Sequence, residues 1–158
     1  MIHIKLNDNI DLPKLSSLSI GKTSFGNSNN FLLSNLGKLI SITIGDECFK
    51  PLSTFNLNGL GSLVTLTIGS NSFTEHPYSF GNDASKSFHI LNCNKLESIS
   101  IGQYSFSDYG GEFELNNLPE LQRLQIGYKN AYSYNFYALS VLNLMGKLLL
   151  LYLLFRPS

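Results

Sequence analysis

Apolar residues recur along this chain at intervals that no single helix or strand produces. From Phe55 they fall at Phe55, Leu57, Leu60, Leu63, Leu66 and Ile68, and Gly69 closes the run. The same order returns at Phe113, Leu115, Leu118, Leu121, Leu124, Ile126 and Gly127. A spacing of three matches neither the helical stripe nor strict strand alternation, so the middle of each run is ambiguous in isolation. Its last part does alternate, with Ser or Thr between apolar residues, as in Ser41-Ile42-Thr43-Ile44 and Thr65-Leu66-Thr67-Ile68. That pattern predicts short strands, stacking in parallel at roughly 4.8 Å per rung. The F-x-L part (Phe55-Asn56-Leu57, Phe113-Glu114-Leu115) predicts a second short extended segment on the opposite wall.

The runs share one register. An Ile-Gly pair recurs at Ile20-Gly21, Ile44-Gly45, Ile68-Gly69, Ile101-Gly102 and Ile126-Gly127, with glycine spacings of about 24, 24, 33 and 25 residues, within the period of stacked-repeat architectures. Four residues past the first four glycines stand Phe25, Phe49, Phe73 and Phe106; the fifth copy places Ala131 there and Tyr132 one step later. Fourteen residues before the later glycines stand Phe31, Phe55, Phe88 and Phe113. The glycines are expected to supply the positive-φ geometry of a sharp corner. A single coil cannot bury its own apolar face, so stability has to come from stacked neighbours.

The segment Leu63-x-x-Leu66-x-Ile68-x-x-Asn71-x-Phe73 resembles the leucine-rich-repeat core, L-x-x-L-x-L-x-x-N-x-L, and the I-G-x-x-S-F ending is similar to the BspA-like branch of that family. The resemblance covers residues 12–136 in five copies. It implies a leucine-rich-repeat-like solenoid, with short parallel β-strands stacked into a sheet and a loop or extended segment opposite. The asparagine position departs from the family, holding Thr23, Glu47, Tyr104 and Lys129 in the other copies. A continuous asparagine ladder is therefore not expected, and other pairing has to satisfy those corners. Residues 1–137 are assigned to the solenoid, with a partial first repeat, and 138–158 to a hydrophobic C-terminal tail or degenerate last repeat.

That tail runs nearly unbroken in apolar residues from Met145 to Phe155. It reads as a last repeat or hydrophobic helix closing the core, as a product of a shifted reading frame, or as a membrane anchor. The anchor is the weakest reading, because Lys147 at its middle would cost on the order of 3 kcal/mol on insertion. Extra residues enter between the third and fourth copies, within Thr74–Ser87, and Ser107–Glu112 occupies the same register one copy later. Insertions confined to one edge often mark a binding edge.

Composition narrows the function. Eleven basic and 11 acidic residues give zero formal charge, which argues against electrostatic capture of nucleic acid. Cys48 and Cys93 are too few for a disulfide framework, and two repeats separate them, so both are expected free. Cys93 takes a leucine position in the core, and Cys48 replaces the serine before Phe49. No signal peptide and no N-x-[ST] acceptor is present in the sequence, so an intracellular setting is expected.

No nucleophile elbow, phosphate loop or zinc-protease motif occurs, and no enzymatic role, cofactor or metal is expected. His89 reads as a solvent-facing strand residue. Candidate recognition residues lie on the outward strand face: Ser41, Thr43, Thr65, Thr67, Ser98, Ser100, Arg123 and Gln125, with Tyr128 beside them. A structural role for the hydroxyl rows, through β propensity and cross-rung bonding, competes with that reading. A second candidate is the insertion edge, with His76, Tyr78, Phe80, Asp108 and Tyr109. The expected function is a non-catalytic protein-interaction or scaffold module with an unidentified protein partner. The alternatives are a cell-surface adhesion or recognition protein, and a fragment of a longer repeat array.

Overall fold

The computed structural model describes residues 14–29, 31–33, 36–77, 83–128 and 133–136, and the backbone of 141–144 and 150–153. Its regular elements are ten strands: β1 (Ser17–Ile20), β2 (Ser41–Ile44), β3 (Thr54–Asn58), β4 (Thr65–Ile68), β5 (Ser87–Leu91), β6 (Ser98–Ile101), β7 (Glu112–Asn116), β8 (Arg123–Ile126), β9 (Val141–Leu144) and β10 (Leu150–Leu153). No helix occurs among the described residues.

The strands form two parallel sheets. The larger is ordered β1-β2-β4-β6-β8-β10 and the smaller β3-β5-β7-β9. From β2 onward the chain alternates strictly between them. The segment expected as an extended opposite wall is thus a sheet in its own right. Its register pairs Phe55, Phe88 and Phe113 with one another, and Leu57, Ile90 and Leu115 likewise. In the larger sheet Ile42, Leu66, Ile99 and Leu124 align, as do Ile44, Ile68, Ile101 and Ile126. All of these point inward and are buried. The two strands of the apolar C-terminal stretch extend the same registers, β9 against β7 and β10 against β8; residues 137–140, 145–149 and 154–158 lie outside the described residues.

The core is organised by phenylalanine. Phe25, Phe49, Phe73, Phe106 and Phe136 form one column, each ring stacked on the next at 4.7–5.2 Å. Phe31, Phe55, Phe88 and Phe113 form a second at 4.9–5.4 Å. Rings of the two columns meet edge to face, as with Phe55 and Phe73 at 5.1 Å and 79° and Phe88 and Phe106 at 5.0 Å and 82°. Inter-strand spacing sets the stacking distance, and the aromatic quadrupole favours the crossed contacts. Phe136 completes the first column, nine residues past Gly127 rather than four, so the fifth copy carries five extra residues before this ring.

The corner glycines act differently from expectation. Gly127 has φ +78°, but Gly21, Gly45, Gly69 and Gly102 do not lie in the left-handed region. A Cβ on Gly45 would stand 2.7 Å from the Lys22 nitrogen, and one on Gly102 would stand 2.6 Å from both the Gly69 carbonyl carbon and the Ser70 nitrogen. These glycines let backbone rest on backbone. The left-handed positions fall two and four residues later, at Thr23 and Phe25, Glu47 and Phe49, Asn71 and Phe73, Tyr104 and Phe106, with φ between 53° and 62°. Such a conformation costs an L-residue on the order of 1–2 kcal/mol. Ring stacking in the core holds the phenylalanines there.

Side chains from the following copy close these corners. Ser72 Oγ donates to the Gly45 carbonyl (2.8 Å) and accepts from the Cys48 amide (3.0 Å). Ser105 Oγ does the same for the Gly69 carbonyl (2.6 Å) and the Ser72 amide (3.0 Å). Cys48 Sγ reaches the Gly21 carbonyl at 3.1 Å, and Asn135 Nδ2 the Gly102 carbonyl at 2.7 Å. The position before the phenylalanine, not the family's asparagine position, therefore carries the polar ladder. Buried backbone groups left without such partners would each cost about 1–3 kcal/mol.

Candidate functional site

Two regions hold the residues singled out from sequence. The first is the outward face of the larger sheet. Parallel registry aligns Ser17, Ser41, Thr65, Ser98 and Arg123 in one row and Ser19, Thr43, Thr67, Ser100 and Gln125 in the other. Alternation places every one of them opposite the core. Ser19, Thr43, Thr65, Thr67 and Arg123 are exposed, while Ser41, Ser98, Ser100 and Gln125 are half-buried by their neighbours. Ser41 Oγ donates to Ser17 Oγ at 2.9 Å, so one row carries some cross-strand bonding. Gln125 turns back to the Gly127 carbonyl (3.2 Å). Tyr128 stands just past β8 and is 47 % exposed. At the far edge, the register positions beside Arg123 and Gln125 belong to Leu150 and Tyr152.

The second region joins the two insertions, and here the loop expectation is corrected. Asp108 and Tyr109 were expected as partner-facing loop residues; they are 4 % and 2 % exposed. Tyr109 donates its hydroxyl to the Leu52 carbonyl at 2.6 Å and packs edge-on against Phe106 and Phe136. Lys86 Nζ lies 2.7 Å from Asp108 Oδ2 and 3.3 Å from Glu75 Oε2. The Glu75 amide donates to Asp108 Oδ2 (3.2 Å), and Thr74 and Ser107 share a buried hydroxyl contact of 2.8 Å. Backbone pairing continues the link, with Gly110 N–H on the Asp83 carbonyl and Gly111 N–H on the Lys86 carbonyl, both at 3.0 Å. His76 is exposed, and its carbonyl accepts from Ser107 Oγ. Tyr78 and Phe80 lie outside the described residues.

Electrostatics follow from this burial. Desolvation pulls the Lys86 ammonium down, but hydrogen bonds and charge from Asp108 and Glu75 outweigh it and leave the group above its ordinary value. Burial, with the Asp108 and Asp83 charges behind it, pushes the Tyr109 phenol well above the tyrosine range. The Cys48 and Cys93 thiols are both buried, unpaired and raised by desolvation. His89 is half-buried on the outer side of the smaller sheet, with Nδ1 3.4 Å from Glu114 Oε2.

Among the described residues no cluster of three or more His, Cys, Asp or Glu side chains is arranged to hold a metal. No helix among them is long and apolar enough to cross a membrane. Lys86 and Glu75 were not singled out from sequence, because their spacing to Asp108 carries no periodic signal. Compared with protein-family models, curated proteins and solved structures, the chain matches none.

Proposed function

We propose that the chain is a leucine-rich-repeat-like solenoid of the BspA-like kind, serving as a non-catalytic protein-interaction or scaffold module, with the outward face of the larger sheet as its binding surface. The observation that carries this reading is the registered pair of hydroxyl rows that run on into exposed Arg123 and half-buried Gln125 at the two row positions of β8, with exposed Tyr128 just past that strand. Ser and Thr side chains lose little rotamer entropy when a partner covers them. Arginine and tyrosine are frequent anchors at the centre of protein interfaces. The unpaired thiols and the lack of glycosylation acceptors in the sequence support an intracellular setting.

The test compares cross-linked partners of the parent protein with those of Thr43→Arg/Thr67→Arg and Arg123→Glu/Tyr128→Ala variants in cells of its source. Each exposed substitution alone should change stability by no more than about 0.5 kcal/mol, and the two arginines, side by side in register, add like-charge repulsion of about 0.2–1 kcal/mol. Partners retained by the parent and lost by both folded variants support the surface. Undiminished capture by both variants would exclude it.

A further inference from the structure

We propose that Lys86 and Asp108 condense to an intramolecular amide bond between their side chains, covalently joining the two insertions. The reacting groups are already in contact, with Nζ 2.7 Å from Oδ2, and both side chains are only 6 % exposed. Fixed proximity of this kind replaces a bimolecular encounter and makes an otherwise slow condensation accessible. Asp108 Oδ2 accepts from the Glu75 amide at 3.2 Å, a donor placed to stabilise negative charge on that oxygen as nitrogen adds to Cγ. Asp108 Oδ1, buried with no hydrogen-bond partner, is the oxygen that departs, taking its protons from Nζ once the two atoms share Cγ. The Glu75 carboxylate, 3.3 Å from Nζ and half exposed at 48 %, connects the amine to solvent and relays protons. The Tyr109 ring, with its centroid 5.9 Å from Nζ, walls the other side.

The step balances without another reagent. The reactive form is the proton-transferred pair, amine plus carboxylic acid; it is the minor form, because Asp108 and Glu75 favour the Lys86 ammonium, and it holds the same number of protons as the ion pair. Nζ bonds to Cγ, and the Cγ–Oδ1 bond breaks. Two of the three ammonium protons leave with Oδ1 as one water, and the third stays on the amide nitrogen. Oδ2 remains as the amide carbonyl oxygen, still facing the Glu75 N–H. No redox change occurs. The product exchanges a buried ion pair, whose desolvation opposes its own attraction, for a neutral group.

Intact-mass spectrometry of the folded parent protein, denatured only for measurement, tests this directly. The expected mass is one water below that of the sequence, and tandem spectra should show a branched peptide joining Lys86 to Asp108. Lys86→Arg and Asp108→Ala should each return to full mass, and Glu75→Gln, which keeps the side-chain size, should be recovered largely unlinked. Full sequence mass in the parent overturns the proposal. So does a lost water that maps to a backbone succinimide or to a Lys86–Glu75 link, or one that persists in Asp108→Ala.

Discussion

Gly21 and Gly102 occupy the same place in the repeated pattern, yet alanine should affect them in opposite directions. At Gly102 a Cβ would stand 2.6 Å from two backbone atoms of the preceding corner, and backbone held there by the Ser105 and Asp46 hydrogen bonds cannot swing aside as a flexible side chain can. That contact belongs at the upper end of overpacking costs, about 3 kcal/mol. Alanine also reduces the freedom of the unfolded chain, which returns about 0.4–1 kcal/mol. The net loss is about 2 kcal/mol, or about 4–8 °C in Tm for a chain of this size. At Gly21 the nearest atom to a new Cβ is Ser24 Oγ at 3.9 Å, so only the unfolded-state contribution remains and alanine should stabilise by about 0.4–1 kcal/mol. Urea unfolding followed by far-UV circular dichroism measures both. Equal effects at the two positions, or a loss below about 0.5 kcal/mol at Gly102, would refute close backbone approach as the reason for these glycines.

Three further outcomes follow from the packing. Leu66, 1 % exposed in the central strand β4, should cost about 2–5 kcal/mol when changed to alanine, measured by denaturant unfolding; a loss below about 1 kcal/mol would mean that it does not face a packed core. Native protein should react with a thiol reagent only on unfolding, then titrate two thiols, and Cys48→Ser, which restores the residue used at Ser72 and Ser105, should cost about 1 kcal/mol less than Cys93→Ser, which buries a hydroxyl among leucines. Tyr109→Phe should lose about 1–3 kcal/mol near neutral pH, because the Leu52 carbonyl loses its donor. Above the ordinary tyrosine value of 10.0, unfolded Tyr109 ionises while folded Tyr109 stays protonated, so parent stability falls as pH rises. The gap to Tyr109→Phe should then narrow by about 1.4 kcal/mol per pH unit, and parallel pH profiles would contradict the burial of this phenol.

The sequence reveals those parts of the fold that repetition writes into it. Phe55, Phe88 and Phe113 recur at a fixed distance before a glycine because each ring must rest on the last, and the same spacing shows the alternating strands Thr65–Ile68 and Ser41–Ile44. Where one residue type serves two purposes, pattern misleads. Glycine signals both left-handed backbone and close approach, and the second purpose governs Gly45 and Gly102 while Phe49 and Phe106 take the strained torsions. Phe136 was missed because its copy is lengthened between Gly127 and the ring. Asp108 and Tyr109 read as loop residues because polar side chains near Gly110 and Gly111 have that composition. Asp108 is buried against Lys86, 22 residues away, and Tyr109 against Phe106, Phe136 and the Leu52 carbonyl, through contacts that occur once and leave no period. The outward face was readable in its alternation of Ser or Thr with apolar residues.

The corner hydroxyls also impose an order in time. Ser72 fills the gap between the Gly45 carbonyl and the Cys48 amide, and Ser105 fills the next, so neither the Gly45 nor the Gly69 corner is completed by groups of its own copy alone. A chain made from its N-terminus on the ribosome can finish a corner only when the following copy has emerged. Ordering of the nascent chain therefore trails synthesis by one copy, and until then the newest corner presents an open carbonyl and amide to its surroundings.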